Sequence, residues 1–532
     1  MKWPLAALLL GFFGAPVALL LLQAGAPGAN WLALWAAPDN LAALHGTVVT
    51  SLGASAFAFT LGVPLALLLA RTDLPWRGAL KALLTLPAAL PPFILGMGWV
   101  ALANPRAGLL NLLTSPGTFD IYGAVGIAFV LGGAGLPLVL LPTLAASARV
   151  DSSLEEAARM SGASTSRAVL SVTLPLVLPA ALSGTALCFL FAASAFGVPY
   201  LLGVTATPPT PTLTTRIYGE VLMGGGLQRA VILSVELLVL AIAVLSASRA
   251  LARRGAVRLS SGKGLSIRPI GLGRWRTPLG LLAWFVAFIV VVLPLIAIAL
   301  TSLQPVWGQL TGLTTRHWGA VLSNARTIDA ALRSLLLAVT TGLIVTLLGL
   351  AIAMTRRRAL EFAGAAPYAI PGTVLALAFI IAFSRDVRFI AFERVAFVLT
   401  MGNTLWLLLV AYSVKHLAFG VRNASDGIAQ LDGSLTEAAR ISGASRFRAF
   451  LDATVPQLRA PLTAAFTITF LTCFTELTLS VLLIPTGRDV LGTLLFELQS
   501  YADPGSAAVI ACAFVLLVLA TQLVLGARRE AR

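Results

Sequence analysis

Two stretches of this chain, DSSLEEAARMSGASTSRA at Asp151–Ala168 and DGSLTEAARISGASRFRA at Asp432–Ala449, agree at 13 of 18 positions with a constant offset of 281 residues. A match of that length inside one chain marks a duplicated unit. Pro175 and Pro456 keep the offset, and Gly62/Gly349 and Arg71/Arg357 recur at neighbouring offsets, so the copies extend beyond the quoted stretch.

The surroundings of the repeat are strongly apolar. Of 532 residues, 58% are apolar and 11% charged, with a mean hydropathy of +0.93. A soluble chain carries roughly a quarter charged residues because its surface must be solvated, so a water-soluble enzyme is excluded. Twelve apolar blocks have the ~20-residue length that spans a bilayer. They run approximately Pro4–Leu22, His45–Ala70, Ala82–Ala103, Tyr122–Ala145, Leu176–Leu202 and Ala230–Ala250, then Pro278–Thr301, Ala331–Thr355, Phe362–Ser384, Val395–Phe419, Ala460–Ile484 and Ser506–Gly526. The expected fold is an all-α polytopic membrane protein.

The net charge of +16 belongs to this topology rather than to nucleic-acid binding, since the basic residues never form an aromatic-interleaved face. With the amino terminus placed in the cytoplasm, 27 of the 37 Lys and Arg fall inside, Lys415 at the inner end of the tenth block among them, and 10 outside. That asymmetry is the positive-inside pattern, and it puts both termini in the cytoplasm. Six spans per copy is an even number, so the two six-helix repeats lie parallel about a pseudo-two-fold axis along the membrane normal. The expected organisation is an anchor span and outer segment over 1–44, a first transmembrane domain over 45–250, and a basic linker over 251–277. A seventh span and outer segment follow over 278–330, a second transmembrane domain over 331–526, and a cytoplasmic tail over 527–532. Lys2, the run Leu5–Leu22 and Ala24-Gly25-Ala26 also have the order of a cleavable leader; the length of the run favours an uncleaved anchor, and either choice leaves later spans unchanged.

Each copy of the duplicated stretch lies in a long loop on the basic side. Ser153 with Glu156, and Ser434 with Glu437, have capping-box spacing, so a short helix is expected to begin there with its acids at the positive dipole end. Ala157-Ala158 and Ala438-Ala439 give it a smooth face. Gly162 and Gly443 are placed to end it in the left-handed conformation. Capping alone does not account for the Ala pairs, the Ser-Gly-Ala-Ser run and the distal arginine recurring together. Two equivalent short helices about a pseudo-dyad suit a partner that is itself a two-fold dimer with a groove on each subunit.

Glu-Ala-Ala-x-x-x-Gly with a distal proline resembles the cytoplasmic EAA loop of the membrane subunits of binding-protein-dependent ABC importers of the type I fold. The fused two-copy form, Phe196-Gly197-Val198-Pro199 and Thr214-Thr215-Arg216-Ile217-Tyr218 are most similar to the ferric-iron permeases. The resemblance implies that Glu155, Glu156, Ala157, Ala158 and Gly162, with Glu437, Ala438, Ala439 and Gly443, build coupling helices for two ATPase subunits. It further implies a periplasmic solute-binding protein, a bacterial inner-membrane location, and ATP-Mg bound by the partner ATPases, with no cofactor on this chain. Thr436 stands where the first copy has Glu155, so the docking sites need not be equal.

The chain lacks a nucleotide-binding loop, since Gly262-Lys263-Gly264 has neither the upstream glycine nor the following hydroxyl residue. Cys188, Cys473 and Cys512 show no metal or disulfide spacing, and His45, His317 and His416 are far apart, so no metal site is expected and the chain is not expected to be an enzyme. Two acids fall inside apolar blocks, Glu236 and Glu476; each reads either as part of the pathway or as a hydrogen-bonded packing residue. Phe196, Gly197 and Pro199 are expected near the outer mouth. Pro87, Pro91 and Pro92, and Pro371-Gly372, interrupt matching spans, as hinges or as static kinks. Thiamine, polyamine, sulfate and phosphonate are the alternative cargoes. An ion-driven carrier is the rival reading, opposed by the paired loops, and a membrane enzyme lacks a polar catalytic cluster.

Orientation is tested with Ser164→Cys and Ser445→Cys on a background lacking the native cysteines. Neither site should react with a membrane-impermeant reagent in intact cells, and labelling of either would overturn the topology.

Overall fold

The computed structural model describes residues 2–25, 31–224, 226–258, 269–384, 387–391, 394–500 and 503–530. Ala26 of the small-residue motif, and Gly262, Lys263, Gly264 and Arg268 of the linker, lie outside these residues. Among the described residues nine helices are long and apolar enough to cross a membrane, and two bent helix pairs pass the same test. A shorter apolar helix, Arg459–Phe474, stands at the eleventh block. Among the described residues the architecture is all-α except for one antiparallel hairpin, Val387–Ala391 with Arg394–Leu399.

That hairpin corrects the tenth block. Its expected start, Val395, lies in the second strand, and the helix runs Leu405–Ala429 instead. A short run rich in Val and Phe cannot be told from a buried helix by periodicity. The boundary is set by Asn403 at a φ of 55° and by Thr404, whose hydroxyl caps the amide of Leu407. The fifth span is also displaced: a continuous helical rod covers Thr165–Ala193, beginning at Ser164, whose hydroxyl accepts from the amide of Arg167. Pro175 follows a π turn over Val169–Thr173, and Pro456 one over Phe450–Thr454, which absorbs the missing amide in both repeats.

Two compact units emerge, neither contiguous in sequence. One comprises Leu32–Arg216, Val239–Leu322 and Leu495–Arg532. In it Pro38–Arg71, Ala124–Ser147 and Leu174–Ala193 pack as a triad, while Leu293–Thr301 lies on Pro92–Ala103 and on Pro504–Glu530. The other comprises Met1–Trp31, Ile217–Leu238 and Ser323–Leu494. Its triad is Ala325–Met354, Leu405–Ala429 and Arg459–Phe474, and Ala15–Ala24 lies on Gly372–Phe383. Each unit therefore joins one repeat's triad to the span that opens the other repeat.

The triads pack through small residues. Pro38–Arg71 buries Ala43, Thr47, Ser51, Ala54, Ala58 and Gly62 along one stripe, so a neighbouring backbone approaches closely. Several of its hydroxyls bond within the helix: Thr47 donates to the carbonyl of Ala43, Thr50 to that of Gly46, and Ser55 to that of Ser51. In the second triad the helices approach closely at Gly349 and Gly420, where a Cβ on the first would run into the backbone of the second, and one on the second into the carbonyl of Val345. The third and ninth spans break at Leu90-Pro91 and Ile370-Pro371 with bends of 103° and 105°, because the residue before a proline is pushed out of the helical region.

Gly420→Ala should lower the unfolding temperature in detergent by the equivalent of about 1–3 kcal/mol. Gly219→Ala, in the helix Leu213–Leu222 with nothing within 4 Å of an added Cβ, should be neutral or slightly stabilising. Equal shifts would contradict the close helix approach.

Candidate coupling helices and a buried charge cluster

The duplicated stretch forms the same helix–turn–helix in both copies. Its first helix covers Ser152–Met160 in one and Gly433–Ile441 in the other. The cap is not Ser153 or Ser434, as the capping-box spacing suggested, but the aspartate two residues earlier. The carboxylate of Asp151 accepts from the amide of Ser153 at 3.0 Å, and that of Asp432 from Ser434 at 2.9 Å. Aspartate is as good a cap as serine and adds a charge at the positive end of the dipole. The amide of Ser434 holds the Asp432 carboxyl below the usual carboxylate range, so this contribution is lost as pH falls through that lowered value.

Both helices end as expected. Gly162 and Gly443 have φ of 91° and 86°. Gly162 N–H donates to the carbonyl of Arg159 and Ala163 N–H to that of Ala158; Gly443 and Ala444 bond Arg440 and Ala439 in the same way. This paired bonding is the Schellman arrangement, which demands a residue tolerant of positive φ at that point. Nothing crowds either glycine, so backbone conformation and not space requires it.

The outer faces of these helices are the unexpected feature. Met160 and Ile441 occupy equivalent positions and are 89% and 88% exposed; Leu154 and Leu435 are 47% and 53% exposed. Large apolar side chains held out on short polar helices are what a docking groove takes up. The signal was present in the sequence as an apolar residue kept at both positions. Glu156, Ala157, Glu437 and Ala438 are exposed beside them, and Ala158 and Ala439 are half-buried.

Glu155 is placed differently from Glu156. It is 6% exposed, its Oε2 lies 2.7 Å from Nη2 of Arg71, and its Oε1 accepts from the hydroxyl of Thr173. Nη1 of Arg71 also donates to the carbonyl of Val150 at 2.8 Å. Glu155 thus faces the inside of the unit while Glu156 faces out.

Glu476 is the centre of a second arrangement, within the other unit. It sits between Arg459–Phe474 and Ser480–Leu483, where the eleventh span is broken. Its Oε1 is 3.6 Å from Nζ of Lys415 and accepts from the amide of Leu479 at 3.1 Å, and its Oε2 is 3.9 Å from Nε2 of His416. Tyr412 and Ser480 share a hydrogen bond, and Ser480 also donates to the carbonyl of Glu476. An added Cβ at Gly372, just after the break of the ninth span, would lie 2.6 Å from Nζ of Lys415. Two broken helices therefore meet around one ion pair. Lys415, counted with the cytoplasmic charges, lies inside the tenth span because that helix starts ten residues later than its apolar run. At the repeat offset the first copy has Ala134 and Ala195, so this pair has no counterpart there.

Of the other candidates, Glu236 is half-buried in Leu227–Arg258. Phe196, Gly197 and Pro199 are buried at the break in the fifth span, with the Phe196 ring 5.5 Å from Tyr200 and 5.6 Å from Phe496. Tyr200 itself lines a cavity of about 570 Å³ with Asn104, Tyr122, Gln304, Trp307 and His317. Thr214 donates to the carbonyl of Ala195, and Thr47 accepts from the amide of Leu213, tying the following segment to the second span. Among the described residues no group of three metal-ligating side chains occurs.

The profile of a family described as binding-protein-dependent transport system inner membrane component matches residues 62–256 and 346–527. A molybdenum transport system permease protein of Escherichia coli is 31% identical over 223 residues, 41% of this chain and 94% of that protein. A putative 2-aminoethylphosphonate transport system permease protein of Salmonella choleraesuis is 27% identical over 263 residues, 47% of this chain and 95% of that protein. A probable molybdenum ABC transporter permease protein of Haloferax volcanii is 35% identical over 162 residues, 30% of this chain and 59% of that protein. The two bacterial relatives are covered almost whole by less than half of this chain, as single-copy proteins would be by a duplicated one.

Lys415→Met should destabilise the protein in detergent by about 3–5 kcal/mol, since it leaves a buried carboxylate unpaired. The pair replaced together, Lys415→Met with Glu476→Met, should recover most of that loss. A single variant no less stable than the double one would show that the two groups are not coupled.

Proposed function

The chain belongs to the family of binding-protein-dependent transport system inner membrane components, and from that premise we propose that it is the permease of an ATP-driven importer for ferric iron. The observation that carries the coupling role is the duplicated, aspartate-capped helix that holds Leu154 and Met160, or Leu435 and Ile441, out from the protein. Two ATPase subunits dock on these helices, bind ATP with Mg, and close as a dimer. Closure draws the helices together and rocks the repeats between inward-open and outward-open states. Both termini and both helices face the cytoplasm of a bacterium, and the transmembrane domains extend over 45–250 and 331–526. A periplasmic binding protein delivers the cargo at the opposite face.

The iron reading is supported by the resemblance of Phe196–Pro199 and Thr214–Tyr218 to segments of ferric-iron permeases. Fe³⁺ is a hard cation that wants several oxygen ligands, and Glu476 is engaged by Lys415, His416 and the amide of Leu479. The permease then gives a low-affinity path, and selectivity resides in the binding protein. A second reading, a tetrahedral oxyanion such as molybdate or a phosphonate, is favoured by the cargoes named for the relatives.

The test is ATP-dependent uptake by vesicles carrying the complete transporter, comparing ferric iron with molybdate, 2-aminoethylphosphonate, sulfate, thiamine and putrescine. Iron uptake alone is expected; uptake of one of the others without iron would overturn the cargo and leave the importer standing. In the same vesicles Met160→Asp with Ile441→Asp should abolish uptake and weaken ATPase retention by about 2 kcal/mol or more per site, the scale of an interface hot spot.

A further inference from the structure

The two coupling helices are alike in sequence and turn, yet they are held to their own units by different means. The first is tied down. Glu155 meets Arg71, the last residue of the helix Pro38–Arg71, whose side chain is 1% exposed in that ion pair. Thr173 reaches Glu155 from the start of the fifth span, and Arg71 also holds the carbonyl of Val150, just before the Asp151 cap. Arg71 thus grips both the helix and the chain leading into it.

The same corner receives the end of the inter-repeat linker. Ile270 N–H donates to the carbonyl of Arg71 at 2.7 Å, and Asp73 N–H to the carbonyl of Ile270 at 3.2 Å. Leu272 N–H donates to the Asp73 carboxylate at 3.0 Å, and Arg276 to the Asp73 carbonyl at 3.0 Å. Pro269, Ile270 and Gly271 then face Glu155, Glu156 and Arg159 across a cavity of about 340 Å³.

The second copy differs in sequence at the first of these devices. Thr436 replaces Glu155, and the arginines that follow the eighth span, Arg356, Arg357 and Arg358, are all exposed. A threonine cannot supply the charge, and an exposed arginine is not committed to a buried partner.

We infer that Arg71 is a positioning residue for the first ATPase docking site, which the linker end and the helix Ser152–Met160 form together. The inference rests on the importer reading. An ATPase subunit meets a pre-set surface at Met160, with the 340 Å³ cavity beside it to take a side chain of that subunit. At Ile441 the helix angle is set by docking itself. The sites are then unequal, and loss of the ion pair is felt at one of them.

The test is site-specific cross-linking in the complete transporter, from Met160→Cys or from Ile441→Cys to a cysteine in the groove of the ATPase. Glu155→Gln should lower cross-linking from position 160 by roughly tenfold, the scale of a coupled contact, and leave position 441 unchanged. Because Arg71 is then left buried without its partner, Arg71→Met with Glu155→Met serves as the second variant. It should restore the amount of permease in the membrane while the defect at position 160 persists. Equal loss at both positions, no loss at either, or full recovery of cross-linking in the double variant would overturn the inference and leave the importer reading intact. No cross-link from either position in the otherwise unaltered transporter would instead overturn the importer reading itself.

Discussion

Lipid offers no hydrogen bonds, and this single constraint organises the molecule. Every backbone amide in the apolar layer must be satisfied by the chain, so the apolar blocks become helices, and Thr47, Ser55, Thr143 and Ser147 bond back to carbonyls one turn earlier. With no hydrophobic force to drive helix on helix, association depends on close approach. That explains the small-residue stripe on Pro38–Arg71 and the meeting of Gly349 with Gly420.

The same constraint gives meaning to the exceptions. Helix breaks at Pro91 and Pro371, and between Phe474 and Ser480, expose backbone groups that something must satisfy. In the second repeat the carboxylate of Glu476 accepts the amide of Leu479 and is itself neutralised by Lys415. A charge buried without such a partner would be strongly destabilising. On the short polar helices the rule is reversed. Met160 and Ile441 stand exposed at equivalent positions of the two copies, which is why they point to a partner.

Much of this was legible in the sequence because it depends on local chemistry. The twelve apolar blocks, the duplication, and the left-handed turns at Gly162 and Gly443 follow from residue type and spacing. The cap was misplaced because Asp151 and Ser153 compete for the same role two residues apart, and both are good caps. The tenth span was misplaced because the strand Arg394–Leu399 is as apolar as the helix that follows it. That displacement hid Lys415, and with it the partner of Glu476. The Arg71–Glu155 pair joins residues 84 positions apart, so no local pattern announces it. The exchange of opening spans between repeats is a matter of tertiary packing and leaves no trace in the order of the blocks.

The central claim is that one copy of this chain supplies two docking helices to a pair of ATPases. The most direct measurement is the mass and subunit ratio of the complex obtained when the chain is purified under mild conditions with the ATPase encoded alongside it. The account predicts one permease with two ATPase subunits, whose hydrolysis is stimulated by the loaded binding protein. A chain that purifies free of any ATPase, and transports its cargo on an ion gradient alone, would contradict it.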